Sequence, residues 1–525
     1  MSKSVTSANQ QNDSLFVLIK SLTKSEKRQF NLYVGRLGGN VDAKFFSLFK
    51  FLEKLKTYDE KVIIGSGIVS KQQLSNLKAH LYKQILISLR LNPAHKNLRI
   101  QIREQLDFAT VLYQKGLYKQ SLKLLEKAKH MALDNEEKNI AYDIVELEKV
   151  IETQYITRSL SNRADQLSIE AKELSQQNVI ASKLSNLSLQ LYSHLIQNGY
   201  VKNKKELKFV DKYFNDRMPK YHYKTLGFRE KLWLYKAHLW HSFLVQDFLL
   251  SYKYARKCVD LFETPKLILL HPVFYLKSKN YLLEASFLVK KINIFKKELA
   301  IFESEIENKE ITMNTNTELL IFLYLYTNKL HLHFLEGSFE KGEYLVDEIN
   351  NKIEQYKNRL DNHFIVLLYY KIACLYFGMG KNKECIFYLQ KIIKSKNIGS
   401  AEDLQCFARI LNLIAHYECG LDYDLERQFV DTYKFLLKME NLQAVQKVFL
   451  TSIRDLSDVF PHEIKNEFKK IHAKLKVFEN HPYEKRAFLY LDILSWLESK
   501  IQNKPIALII KEKINKPNKQ SKINN

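Results

Sequence analysis

Helix-breaking residues recur along this chain at intervals of roughly 40–47 residues, the spacing of repeated helical hairpins. The mid-hairpin turns fall near Gly116, Leu160, Gly199, Gln246, Ile292, Gly337, Gly380, Gly420 and Pro461. Between them lie a second set of breakers: Asp134-Asn135, Met218-Pro219, Thr264-Pro265 with His271-Pro272, Asn314–Thr317, Asp361-Asn362, Gly399-Ser400 and His481-Pro482. One such hairpin cannot bury its own apolar face, so the pattern requires neighbours stacked in sequence order. The 525 residues include only 14 Gly and 8 Pro, too few for the frequent turns of a strand-rich fold. Leu, Lys, Glu and Gln fill the periodic segments and favour helix.

The stretch Phe108–Ala128, FATVLYQKGLYKQSLKLLEKA, shows the unit most clearly. Two amphipathic runs meet at Gly116, with small residues at Ala109, Ser121 and Ala128 and an aromatic at Tyr118. In Leu330–Ile349, Gly337 takes the turn, Phe339 the aromatic slot and Gly342 the small slot; in Ile372–Ile393, Ala373, Tyr376, Gly380 and Cys385 take the equivalent places. Small side chains where antiparallel helices cross allow close approach, and large apolar ones fill the spaces between. These units resemble tetratricopeptide repeats (TPRs). The resemblance covers about residues 98–480 and is explicit in three units. The proline after the second helix is mostly missing, and the turns at Gln246 and Ile292 lack glycine. The resemblance implies an all-α, TPR-like superhelix, a solenoid of hairpins preceded by a small helical domain.

Residues 1–13 are polar and expected to be unstructured. Residues 14–95 form a small helical domain, a cap or a head. Within it, Thr23–Glu26 and Ser70–Gln73 each have the spacing of a capping box, in which side chain and backbone bond reciprocally. The helix after Ser70 carries Lys71, Lys78, Lys83 and Arg90 on its polar face. Residues 96–502 are the repeat array, closed by a capping helix over Glu484–Ile501 with Ala487, Leu491, Leu494 and Trp496-Leu497. Residues 503–525, with Lys511, Lys513, Lys516, Lys519 and Lys522, read as a basic, unstructured tail.

The formal net charge is +24. Of 82 basic side chains 67 are Lys and 15 Arg, whereas readers of bases and phosphates draw on the bidentate Arg fork. Solvated lysine faces account for the excess, and any nucleic-acid contact is expected to be non-specific. The longest apolar runs, Leu319–Tyr326 and Phe364–Tyr370, are too short to span a membrane. The Lys202, Lys204, Lys205 and Lys208 face lacks an apolar face of its own for lying on one. The first residues have no apolar core of a secretory signal, so the expected location is cytoplasmic. Five cysteines without a CxxC pair suit free thiols.

No phosphate-binding, dinucleotide-binding, zinc-protease or serine-hydrolase motif occurs, and no catalytic, cofactor or metal residues are assigned. His331 and His333 point in different directions on a helix; His238 and His241 can share a face but lack a third ligand. The informative constellation is aromatic. Trp233, Lys236, Trp240 and Phe243 stand at i, i+3, i+7 and i+10, and Tyr324, Thr327, His331 and Phe334 repeat the spacing, with Tyr370 in the next unit. The resemblance places all nine on first helices facing the inner surface. The expected function is a non-catalytic cytoplasmic scaffold holding a protein or peptide, with an acidic segment as partner. The alternative is a peptide-sensing regulator whose first domain contacts DNA.

Overall fold

A computed structural model describes residues 13–36, 44–92, 97–154, 162–357, 359–395, 402–420, 422–437, 444–456, 463–485, 488 and 492–515. Among them every element is helical: 25 α-helices and two short 3-10 turns. The protein is all-α, and none of these helices is long and apolar enough to cross a membrane. The chain divides into two compact units, Met1–Ala164 and Asp165–Asn525. This boundary lies well beyond the expected one at residues 95 and 96.

The first unit holds α1 (Ser14–Ser21), α2 (Lys24–Arg36), α3 (Lys44–Lys54), α4 (Glu60–Gly65), α5 (Lys71–Leu91), α6 (Leu98–Gln114), α7 (Tyr118–Leu133) and α8 (Lys138–Glu152). Phe30, Phe46, Leu48, Phe49, Leu52, Leu81 and Ile85 form the core of α1–α5. The Thr23 box is made: the Glu26 amide donates to Thr23 Oγ1 at 3.2 Å, and the Thr23 amide to Glu26 Oε2 at 2.6 Å. The second box is not. Ser70 is the N-cap residue of α5 but makes no side-chain capping bond, because Gln73 spacing alone does not orient either side chain. The helix pair around Gly116 packs as its small residues require: Ala109, Ser121 and Ala128 are fully buried, and Ser121 Oγ donates to Ala109 O at 2.8 Å.

Helix α9 (Arg163–Asn198) opens at the boundary and runs for 36 residues. No Gly or Pro interrupts it, so a hairpin break that the repeat spacing demands is absent. The second unit continues with α10 (Lys204–Arg217), α11 (Phe228–Leu244), α12 (Phe248–Asp260), α13 (Pro265–Leu270), α14 (Pro272–Leu288), α15 (Ile292–Glu307), α16 (Thr315–Glu336), α17 (Tyr344–Tyr356), α18 (Asn362–Gly378) and α19 (Asn382–Ile393). It ends with α20 (Glu402–Glu418), α21 (Asp422–Leu437), α22 (Ala444–Leu456), α23 (Ile464–Lys476), α24 (Ile493–Gln502) and α25 (Ile506–Asn515).

Hairpin partners pack on each other, and α12 on α14, α14 on α16, α16 on α18 and α19 on α20 link successive pairs. The turns at Gly116, Gly199, Gly337, Gly380 and Gly420 adopt the left-handed conformation, and so does Gln246 at φ 60°. The turn expected at Ile292 lies two residues earlier, at Lys290 with φ 54°; Leu160 and Pro461 lie outside the described residues. The last segments differ from expectation. Leu494, Trp496 and Leu497 are buried, but their helix starts at Ile493, and Ala487 and Leu491 lie outside the described residues. The tail from residue 503 is not unstructured throughout: Ile506, Ile509 and Ile510 give α25 a packed apolar face. Lys516, Lys519 and Lys522 lie outside the described residues.

Two glycines in the second unit face rings that leave no room for a side chain. A Cβ on Gly378 would stand 2.4 Å from the Phe339 ring, and one on Gly342 2.7 Å from His333 Cδ2. Gly378→Ala is expected to lower stability by about 1–3 kcal/mol through overpacking, and a Gly378→Ala, Phe339→Leu double variant to recover part of it. Denaturant unfolding of the three proteins checks this.

Candidate functional site

The second unit carries a groove of about 2780 Å³. One wall is formed by side chains recurring three and four residues apart on α11, α14, α16 and α18, which is one face of each helix. Trp233, Lys236 and Trp240 come from α11; Tyr324, Thr327, His331 and Phe334 from α16; Tyr370 from α18. Eight of the nine residues singled out in the sequence therefore line one cavity. Phe243 does not. It is 2% exposed in a core with Leu239, Leu244 and Leu282, whereas Phe334, at the same i+10 position on α16, lines the groove.

The wall is aromatic with cations set into it. Lys236 is 8% exposed; its Nζ lies 4.4 Å from the Trp233 ring centre and 5.7 Å from that of Phe274. Trp233 meets Phe274 edge-on at 5.7 Å. Burial, then the charge of Lys277, brings the Lys236 ammonium down to about 8. Trp240 packs between Tyr192 at 4.9 Å and Tyr281 at 5.1 Å. Burial drives the Tyr281 and Tyr324 hydroxyls upward, so both stay protonated.

On α16, His331 stacks on Phe287 at 4.1 Å and accepts from Lys371 Nζ through Nε2 at 2.6 Å. That bond needs a neutral imidazole, and burial followed by the Lys371 charge holds His331 well below its usual range. Burial likewise lowers Lys371 to about 8. Asn328 Nδ2 donates to Asn280 Oδ1 at 3.0 Å, tying α16 to α14.

Sequence reasoning missed Lys277, Tyr281 and Glu284 on α14 and Lys371 on α18. The signal was present on α14, where Phe274, Lys277, Tyr281 and Glu284 repeat the helical spacing. Its turn carries Lys290 in place of glycine, which left the unit unread. No local signal marks the opposite side, formed by Lys469, His472, Lys476, Glu498, Ile510 and Lys513.

That C-terminal arm is anchored on the hairpins at separate points. Gln246 Nε2 donates to Tyr483 O at 3.1 Å and to Val201 O at 3.0 Å; Lys485 Nζ lies 5.1 Å from the Phe248 ring. Ala507 O comes so close to Gly337 that a Cβ there would be 2.8 Å away.

The remaining candidates for chemistry separate. His333 Nδ1 bonds Ser338 Oγ at 2.9 Å, away from His331. His238 stacks on Tyr254 at 4.4 Å, whereas His241 Nε2 bonds Asp211 at 2.8 Å. Among the described residues no three His, Cys, Asp or Glu side chains gather as a metal site. Burial pushes the Cys258 and Cys374 thiols up to about 12, which suppresses the nucleophilic thiolate. In the first unit, Lys78 of the basic α5 face bonds Asp13 and Tyr58, and Arg90 pairs with Asp107 at 3.3 Å.

Two outcomes are expected. Gln246→Gly keeps the left-handed turn comfortable and removes both side-chain bonds, so amide exchange around Tyr483 should accelerate with little change elsewhere in the hairpins. Burial, followed by the charges of His241 and Lys257, lowers His238 to about 4. Between that value and the ordinary one of about 6.5, the unfolded chain binds a proton the folded chain refuses, so this stability is complete above about pH 6.5 and is lost toward pH 4. His238→Phe should lose less stability than wild type between pH 7 and 5 in denaturant titrations.

Compared with protein-family models, with curated proteins and with solved structures, the chain matches none.

Proposed function

We propose that the second unit is a TPR-like solenoid whose groove holds a segment of a partner protein, and that the chain acts as a non-catalytic cytoplasmic scaffold. The observation that carries this reading is the groove itself. At about 2780 Å³ it exceeds the roughly 300–1,000 Å³ of small-molecule pockets. It also runs across α11, α14, α16 and α18, the first helices of four successive hairpins, the dimension of a chain in extended conformation and not of a compact metabolite. Aromatic side chains at its centre supply rigid contact area at low entropic cost, as at the energetic centres of protein interfaces. The buried thiols and the separated histidines offer no assembled nucleophile and base. The DNA-contacting alternative gains nothing from α5, where two of its four basic residues are engaged within the protein.

A photo-crosslinking residue at Thr327, which lines the groove, should capture discrete partner proteins in cells. The same residue at Leu249, 66% exposed and outside the groove, should not. Equal capture from both positions, or none from either, would sink the reading. Circular dichroism of both proteins controls for folding.

A further inference from the structure

Among the described residues, the fully buried lysines are paired, with one exception. Lys129 meets Glu148 at 2.8 Å, Lys138 meets Glu136 at 3.4 Å, and Lys279 meets Glu298 and Glu305, each at 3.4 Å. Lys236, equally buried, has no carboxylate within ion-pair distance among the described residues. Only the faces of Trp233 and Phe274 attend it, and it lines the groove. Lys371, half-buried, is placed similarly three inner helices away. It donates to neutral His331, itself 7% exposed with Nδ1 buried and unbonded, and among the described residues no carboxylate lies within ion-pair distance of it.

An uncompensated ammonium in a low-dielectric wall costs several kcal/mol, and a bound anion removes that cost. Two such groups at separated points on one groove mark two anion positions. Adjacent helix axes lie about 8–10 Å apart. The three steps from α11 to α18 therefore span roughly 24–30 Å along the wall, or about seven to nine residues of extended chain at ~3.3 Å each.

Resting on the groove reading above, we propose that the occupant is an extended peptide segment carrying two Asp or Glu side chains about seven to nine residues apart, one carboxylate on Lys236 and the other on Lys371. A nucleic-acid strand fits less well. Its continuous phosphates would meet six carboxylates interspersed among the nine lysines of the lining, whereas two separate side-chain carboxylates need meet only Lys236 and Lys371. Trp240, 9% exposed between Tyr192 and Tyr281, has no free face for a base.

The test is selection of a phage-displayed random dodecapeptide library on the full-length protein, followed by titration of a synthetic selected peptide. Two enriched acidic positions at the stated spacing are expected. Lys236→Gln should erase the preference at one and Lys371→Gln at the other, each weakening the peptide about tenfold or more. Lys236→Met, which keeps the packing of the stem, should bind as weakly as Lys236→Gln while unfolding at equal or higher denaturant, because it removes an unpaired buried charge. Peptides that compete with Thr327 crosslinking but lack paired acids, or that both lysine variants select unchanged, would overturn this proposal and leave the groove reading standing. Absence of any competing peptide would overturn both. Tighter groove binding of a dT20 oligonucleotide than of the selected peptide would overturn it in favour of single-stranded nucleic acid.

Discussion

The close crossing of paired helices at positions with little or no side chain is the constraint on which the structure rests. Ala109 and Ser121 meet at one crossing, where the Ser121 hydroxyl finds a carbonyl of the facing helix. Gly378 lies against the Phe339 ring, and Gly342 against His333. Ala373 and Cys385 are fully buried in another pair. Interiors pack at crystal density, so a methyl group added at such a point has no space to enter. Helices held this close leave one face of each first helix uncovered by its partner, and those faces together make the groove wall.

Within that wall the rules governing the rest of the protein are relaxed at defined points. Lys279 is buried and answered by two carboxylates; Lys236 is buried and answered by two aromatic faces. A quadrupole attracts a cation with about 0.5–2 kcal/mol, less than the desolvation it must offset, so the arrangement sacrifices stability locally. His331 shows the same economy: it stays neutral to accept from Lys371 and leaves Nδ1 unbonded. Lys236 and His331 both line the groove.

Much of this was legible in the sequence because the signals are local. The Thr23 capping box needs only residues three apart, and it forms. Trp233, Lys236 and Trp240 share a face because helical geometry puts them there. Other signals misled for equally physical reasons. Ser70 has a capping partner at the right spacing but makes no bond, and Phe243 packs into the core although Phe334, at the same place in its own stripe, lines the groove. The left-handed turns at Gln246 and Lys290 escape a search for glycine because their surroundings hold non-glycine residues in that conformation; Gln246 is held by bonds from its buried amide.

From the sequence alone follow the helical class, the hairpin rhythm and the aromatic stripes, since each depends on interactions within about one turn of helix. Tertiary structure alone decided that the 36-residue α9 interrupts the rhythm, that α25 folds where a loose tail was expected, and that an arm some 237 residues beyond Gln246 returns to it. It also decided which lysines found a carboxylate. Ion pairs between distant helices are set by where whole elements pack, and no spacing along the chain records whether a charge will be answered.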